Sequence, residues 1–352
     1  MPNPTRFLAR AQAVAWLAAL FALPMTAVAT PPIPMAVLGD SDSHGYQDTV
    51  SFPPGSPDRG GPFRATTYQW TEVLATLRGD QVDLGPRATT GTRGAFARLL
   101  RAAGVDARSP RKRDHLHNLA VSGQGCADLD GGPSNQVQAL LRLLAADPAR
   151  WHHGVVVIRI GVNTFGKSGE LDRLADDPGD RQVAALIDDC TARIRAAVDT
   201  LAAAQPGTRF VTVGIFDNSH WASYAGRWAS ATAQANIARG LDRFDDALRQ
   251  LATDRRQVAF FDDRAWFQDR WGGRDADGRA AYRPVPFGPL RVTNTLGDAP
   301  QHATLADGHA GTAWNALWAQ SLVAVLNSRF GLGLAPLRDD ELVTLLSRPQ
   351  VP

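Results

Sequence analysis

What this chain of 352 residues lacks narrows it before anything it contains. It lacks a charge excess. The formal balance is +2, with arginine far outnumbering lysine, a bias read as coding preference more than function. Arg6 and Arg10 fall in a stretch that reads as a removable leader, and no Asp, Glu or Lys precedes residue 30, so taking those two charges away leaves a neutral chain. A neutral surface gives no electrostatic reason to expect nucleic acid or an anionic membrane as partner. Nor is there any run of about 18 consecutive apolar residues, the length a membrane-crossing helix needs. No internal repeat, low-complexity tract or linker breaks the chain, so one domain is expected. The Gly-x-Ser-x-Gly turn of the α/β-hydrolase elbow is missing. His115-x-His117 and His152-His153 have no third ligand at zinc-like spacing. Asp275-Ala276-Asp277-Gly278 lacks the later Glu of a calcium loop and reads as a turn. No metal or cofactor is therefore expected. With only two cysteines, Cys126 and Cys190, one disulfide is the most the chain can form; two buried thiols are as compatible with the sequence.

What is present begins at the N-terminus. Arg6 and Arg10 precede an apolar run from Ala13 to Leu23, interrupted by Pro24, and then Ala27-Val28-Ala29 gives the small-x-small pattern of a signal-peptidase site. Residues 1–29 are read as a signal peptide and the protein as exported, periplasmic or extracellular. Residues 30–331 are read as the catalytic domain and 332–352 as a C-terminal extension.

Within the domain, short apolar runs alternate with helical ones. Strands are expected at Met35–Leu38, His117–Val121, Gly154–Ile160, Phe210–Ile215 and Val258–Phe261. The third is nearly continuous in Val and Ile, as in a parallel strand buried on both faces. Helical spacing marks Tyr68–Leu77, Val137–Leu144, Arg181–Ala204, Ala229–Leu251 and Thr312–Asn327, the last closed by Gly331. Five alternations predict a three-layer α/β/α sandwich with a mostly parallel sheet of about five strands. Two segments stand outside the alternation. Residues 47–64 are rich in Pro and Gly, and 262–300 carry Trp266, Phe267, Trp271, Tyr282 and Phe287. Both are expected to be loops decorating the edge where the strands end.

Gly39-Asp40-Ser41 follows the first strand directly, which puts a serine at the carboxyl edge of the sheet, where ligands of open α/β folds bind. Asn163 follows the third strand and offers an NH₂ donor that Asp would not. Gly123 follows the second expected strand, and without a Cβ its backbone can be approached closely. Asp307-Gly308-His309 comes just before the last helix, and a neutral imidazole there can exchange protons near pH 7.

These segments, Val37-Leu38-Gly39-Asp40-Ser41, Asn118 to Gly123, Ile160-Gly161-Val162-Asn163 and Asp307-Gly308-His309, resemble in order and placement the four blocks of the SGNH, or GDSL-like, hydrolases. The resemblance implies Ser41 as nucleophile, His309 as base and Asp307 as its orienting carboxylate. It also implies an oxyanion hole built from the Ser41 N–H, the Gly123 N–H and the Asn163 amide. Thr164 replaces an Asp usual in the third block, and Asp307 lies two residues before His309 where three are usual, a spacing at which an extended segment is expected to keep both on one face. The implied activity is cofactor-free hydrolysis of a carboxylic ester through an acyl-enzyme. Export and the aromatic-rich 262–300 segment point to a glycan ester as the substrate, such as an acetylated polysaccharide. Lipid or aryl esters, acyl transfer to a sugar and a non-catalytic carbohydrate-binding role are the alternatives.

Overall fold

A computed structural model describes residues 31–350 except 106 and 133. The signal-peptide reading of residues 1–29 lies outside the described residues. Residues from Pro32 onward form one compact unit.

The strands are β1 (Ile33–Gly39), β2 (Val82–Asp83), β3 (Arg87–Thr90), β4 (Lys112–His115), β5 (Val155–Arg159), β6 (Arg209–Val213), β7 (Val258–Phe261), β8 (Val285–Phe287), β9 (Leu290–Leu296) and β10 (His302–Thr304). Five of them make a parallel sheet in the order β2-β1-β5-β6-β7. β3 and β4 pair antiparallel, and β10-β9-β8 form a small separate sheet.

Side chains alternate across this sheet and so supply two cores. One face presents Met35, Val37, Val155, Val157, Val211, Val213 and Phe261 to the helices Trp70–Arg78, Asp263–Trp271 and Thr312–Phe330. The other presents Ala36, Leu38, Val156, Ile158 and Phe210 to the helices Gln136–Ala146, Arg181–Ala204 and Ala231–Asp254. The result is the expected three-layer sandwich. Two of the flanking helices start where a side chain satisfies free N–H groups: Asp180 caps Gln182 and Val183, and Ser230 caps Ala233.

The strand order reverses between β1 and β5, where the chain winds outward to either side. A crevice opens at such a switch point beyond the carboxyl ends of the two strands. Their register runs from Met35 opposite Val155 to Gly39 opposite Arg159, so both strands end side by side.

Three expectations need correction. His117–Val121 is not a strand of the sheet. Its backbone bonds the outer half of β1 (Val37 N–H to His117 O, Leu119 N–H to Val37 O, Val121 N–H to Gly39 O), while β2 occupies the inner half of the same edge. Second, 262–300 is not a loop throughout, because it holds the Asp263–Trp271 helix and the β8–β9 pair. Its Trp266, Phe267, Trp271 and Phe287 are at most 8% exposed and belong to the core. Third, Asp307 to His309 is a turn and not an extended segment. Residues 332–350 pack back on the body of the fold, with Leu334, Leu337, Leu342 and Leu345 in the same core.

Candidate active site

Ser41 follows β1 in a tight turn. The Asp40 carbonyl accepts the N–H groups of Ser43 and His44, and its carboxylate accepts the Asp42 N–H at 3.0 Å. Burial, and next the Asp42 charge, push the Asp40 carboxyl well above its usual range. Arg159, at the end of β5, holds the turn from below. Its guanidinium donates to the Asp42 carbonyl at 3.0 Å and to the Asp263 carboxylate at 3.0 Å, and it lies 4.6 Å over the Trp318 ring. Ser41 itself is half-buried, and its hydroxyl has no hydrogen-bond partner among the described residues.

The oxyanion candidates are tied to the same strand ends. Gln136 grips Gly39 at both its N–H (2.7 Å) and its carbonyl (2.8 Å), and also donates to the Gln124 side chain at 2.7 Å. The Gln124 carbonyl in turn accepts one amide hydrogen of Asn163 at 3.0 Å, leaving the second available. Thr164, standing where Asp was expected, accepts the Cys126 N–H at 2.9 Å and so braces the third block against the second. Cys126 is bonded to Cys190, with Cα atoms 5.1 Å apart, which fastens the same loop to the Arg181–Ala204 helix. Gly123 has φ of +83°, a left-handed conformation that favours glycine, while a Cβ there would meet nothing within 4 Å. Its glycine is thus demanded by the backbone angle and not by crowding.

The base candidate rests on the 305–309 turn. Asp307 Oδ1 accepts the His309 backbone N–H at 3.1 Å and lies 3.2 Å from His309 Nδ1. Gly308, between them, has φ of +86°, and a Cβ on it would overlap the Trp221 ring. The contact between residues two apart is therefore made by a glycine turn against an indole. His302, the competing base, sits on β10 with Nδ1 bonded to Thr295 Oγ1 at 2.7 Å and is not in the cavity wall.

A residue the sequence reading passed over joins this group. Arg59, in the 47–64 segment, donates its backbone N–H to Asp307 Oδ2 at 2.9 Å and a guanidinium hydrogen to the same oxygen. The same guanidinium nitrogen is 2.7 Å from His309 Nδ1. Nδ1 is thus within reach of a donor and an acceptor. With the hydrogen on Nδ1 the ring donates to Asp307 Oδ1, and with it on Nε2 the ring accepts the guanidinium hydrogen at Nδ1, so the tautomer decides which contact is a hydrogen bond. Burial pushes the Asp307 carboxyl up, but the hydrogen bond and charge of His309, followed by the charge of Arg59, hold it well below the carboxylate range. Nothing periodic or motif-like singles out Arg59 in its Pro- and Gly-rich stretch.

Ser41, Asn163 and His309 line one cavity of about 380 Å³. Phe216, Trp221, Tyr224 and Trp314 supply its aromatic wall and Lys167 stands at its edge. None of the five aromatics expected from 262–300 lines it, and neither does Gly123. A second Ser–His–Asp arrangement, Ser122–His44–Asp48, lies outside this cavity. His44 is 0% exposed, accepts the Ser122 N–H at Nδ1 and donates from Nε2 to Asp48 at 2.8 Å, which makes it a buried brace.

No protein-family model matches the chain, and no curated protein matches it either. Among solved structures it is similar to an extracellular lipase from Streptomyces rimosus, at 16% identity and a TM-score of 0.40 over 83% of this chain and 99% of that one. It is also similar to a catalytic mutant of Axe2, an acetylxylan esterase from Geobacillus stearothermophilus, at 13% identity and a TM-score of 0.36 over 88% and 99%. A carbohydrate esterase described as having divergent catalytic and non-catalytic binding functions shares 16% identity at a TM-score of 0.34, over 87% of this chain and 72% of that one. Likeness at this level carries no argument about activity, which has to come from the site.

Proposed function

We propose that this protein is an exported serine hydrolase of carboxylic esters, acting on an acylated glycan. The observation that carries the reading is the convergence of Ser41, Asn163 and His309 on one cavity, with His309 Nδ1 bound to Asp307. In the tautomer whose Nδ1–H donates to Asp307, Nε2 is the ring nitrogen left to take a proton. The Ser41 hydroxyl attacks the ester carbonyl and gives its proton to Nε2, while the carbonyl oxygen becomes an oxyanion. The Ser41 N–H, the Gly123 N–H and the free Asn163 amide hydrogen are its donors. His309 passes the proton to the leaving alcohol, and the acyl group stays on Ser41. Water, deprotonated by His309, then releases the acid and restores the serine.

The aromatic wall supports the substrate class. Phe216, Trp221 and Tyr224, with the edge of the buried Trp314, give the cavity apolar aromatic lining suited to the C–H face of a sugar. The leader-like N-terminus and the bonded cysteines support export. Turnover of p-nitrophenyl acetate and release of acetate from acetylated xylan test the reading. Both are expected, and both should vanish in Ser41→Ala. A serine-directed phosphonate that labels Ser43 or Ser122 instead of Ser41, or a fully active Ser41→Ala, refutes it.

A further inference from the structure

We propose that Arg59 is a positioning residue of the catalytic centre, locking the Asp307 carboxylate so that a two-residue Asp–His spacing presents His309 correctly. The proposal rests on the serine-hydrolase reading above and assigns a role to a segment that reading leaves unused.

The spacing creates the need. With a single glycine between them, Asp307 uses one oxygen, Oδ1, for both the backbone N–H and the Nδ1 of His309. A carboxylate bonded through one oxygen is free to swing about its last torsion, carrying the ring contact with it. Arg59 removes that freedom by filling Oδ2 with a main-chain N–H and a guanidinium hydrogen together.

Arg59 is itself held. It is 4% exposed, and its guanidinium lies 4.3 Å over the Phe52 ring and 5.5 Å over Tyr46. Tyr46 donates its hydroxyl hydrogen to the Ala310 carbonyl, the residue after His309. The other terminal nitrogen of Arg59 donates to Ser122 Oγ at 3.2 Å, and Ser122 is pinned by the His44–Asp48 brace. Ser122 directly precedes Gly123. One planar fork therefore links the base turn to the oxyanion loop, and a lysine has no second prong for this.

Two details speak against mere filler. Arg59 adopts a left-handed backbone, φ +60°, which a non-glycine residue takes only when its surroundings impose it. Its Nε is buried without a partner among the described residues, so the side chain is placed for its terminal nitrogens at the expense of a third donor. An apolar side chain of equal length would sit between the Phe52 and Tyr46 rings without that loss.

The test is a double-mutant cycle of Arg59→Met and Asp307→Asn, read on p-nitrophenyl acetate beside Ser41→Ala. Arg59→Met should fold, melt lower because it leaves the Asp307 carboxylate unpaired, and lose about 10²-fold in kcat, the usual scale for a misplaced catalytic group, at constant KM. In the Asp307→Asn background the same change should cost almost nothing, since its effect runs through the carboxylate. If Arg59→Met fails to fold, Arg59→Lys replaces it, with a smaller loss expected and the same disappearance in Asp307→Asn. Full kcat in the single variant, or an equal loss in both backgrounds, overturns the proposal. A measurement independent of turnover is the downfield imidazole N–H resonance of His309, identified by its absence in His309→Gln. It should be present in the parent and in Ser41→Ala, and lost or exchange-broadened in Arg59→Met; persistence there overturns the proposal too. A parent without esterase activity, or an active Ser41→Ala, instead refutes the hydrolase reading and leaves the resonance to decide the role of Arg59.

Discussion

Replacing Gly308 by alanine probes how the base is held. The position has φ of +86°, and an alanine there pays about 1–2 kcal/mol for a left-handed backbone. The larger effect is steric, because the new methyl would overlap Cζ2 of Trp221, inside any contact that real Cβ atoms make. Either the indole moves into the cavity it lines or the 305–309 turn moves away, and His309 travels with the turn. The overlap calls for a shift of about 1 Å, and a displacement of that size at a catalytic group costs about 10²-fold in rate. Gly308→Ala should therefore melt a few degrees lower and lose about two orders of magnitude in kcat on p-nitrophenyl acetate. The strain and the clash are separable. In Trp221→Leu the methyl has room, so adding Gly308→Ala to that background should cost only the backbone strain in stability and much less in kcat. Equal kcat for Gly308→Ala and the parent, or the same 10²-fold loss with Trp221 already removed, would refute the idea that this indole sets the base turn.

Asn163→Ala should lower kcat by about 10²–10³ with little change in melting temperature, the usual loss for one oxyanion donor; near-normal kcat would remove Asn163 from the mechanism. Reducing the Cys126–Cys190 bond, which closes a loop of sequence separation 64, should destabilise the fold by about 4 kcal/mol in the chain-entropy limit. Thiol titration of denatured, unreduced protein should find no free thiol, and two would show the bond is not formed. His117 gives the pH dependence of stability. Burial, and then the charge of His115, lower its pKa from 6.5 to about 4, so the unfolded chain binds the proton first as pH falls. Stability should be fully present above about pH 6.5 and drop by up to about 3 kcal/mol as the pH falls to 4. In His117→Leu the urea midpoint should vary less over that interval, and an unchanged slope would place the titration elsewhere.

Much of the fold was legible because parallel strands and amphipathic helices write themselves locally. A strand buried on both faces must be a continuous apolar run, and β5 reads as one through Val155, Val156, Val157 and Ile158. The Arg181–Ala204 helix is announced by its stripe of Val183, Ile187, Ile194, Val198 and Leu201 and stopped by Pro206-Gly207. The candidate nucleophile and amide were legible for the same reason. Ser41 lies two residues after the end of β1 and Asn163 four after the end of β5, and in a parallel sheet every strand ends on the same edge. Sequence order alone therefore brought them to one crevice.

The remainder was decided by contacts that leave no periodic trace. The 262–300 aromatics look identical in sequence whether they face a ligand or a core, and packing against Trp314 put Trp266, Phe267 and Trp271 inside. The cavity took its aromatic wall from elsewhere, with Trp221 arriving over Gly308 from the chain that follows β6. His117–Val121 has a strand's composition, but half of the β1 edge was already taken by β2. Arg59 is the clearest case. It meets Asp307 across 248 residues, from a segment whose only local signal is its proline and glycine. Local sequence determines which backbone each segment prefers and which strand end a side chain rides on. Only the closed tertiary structure determines which distant charge completes a carboxylate, because that pairing depends on burial and distance, and neither exists until the chain has folded.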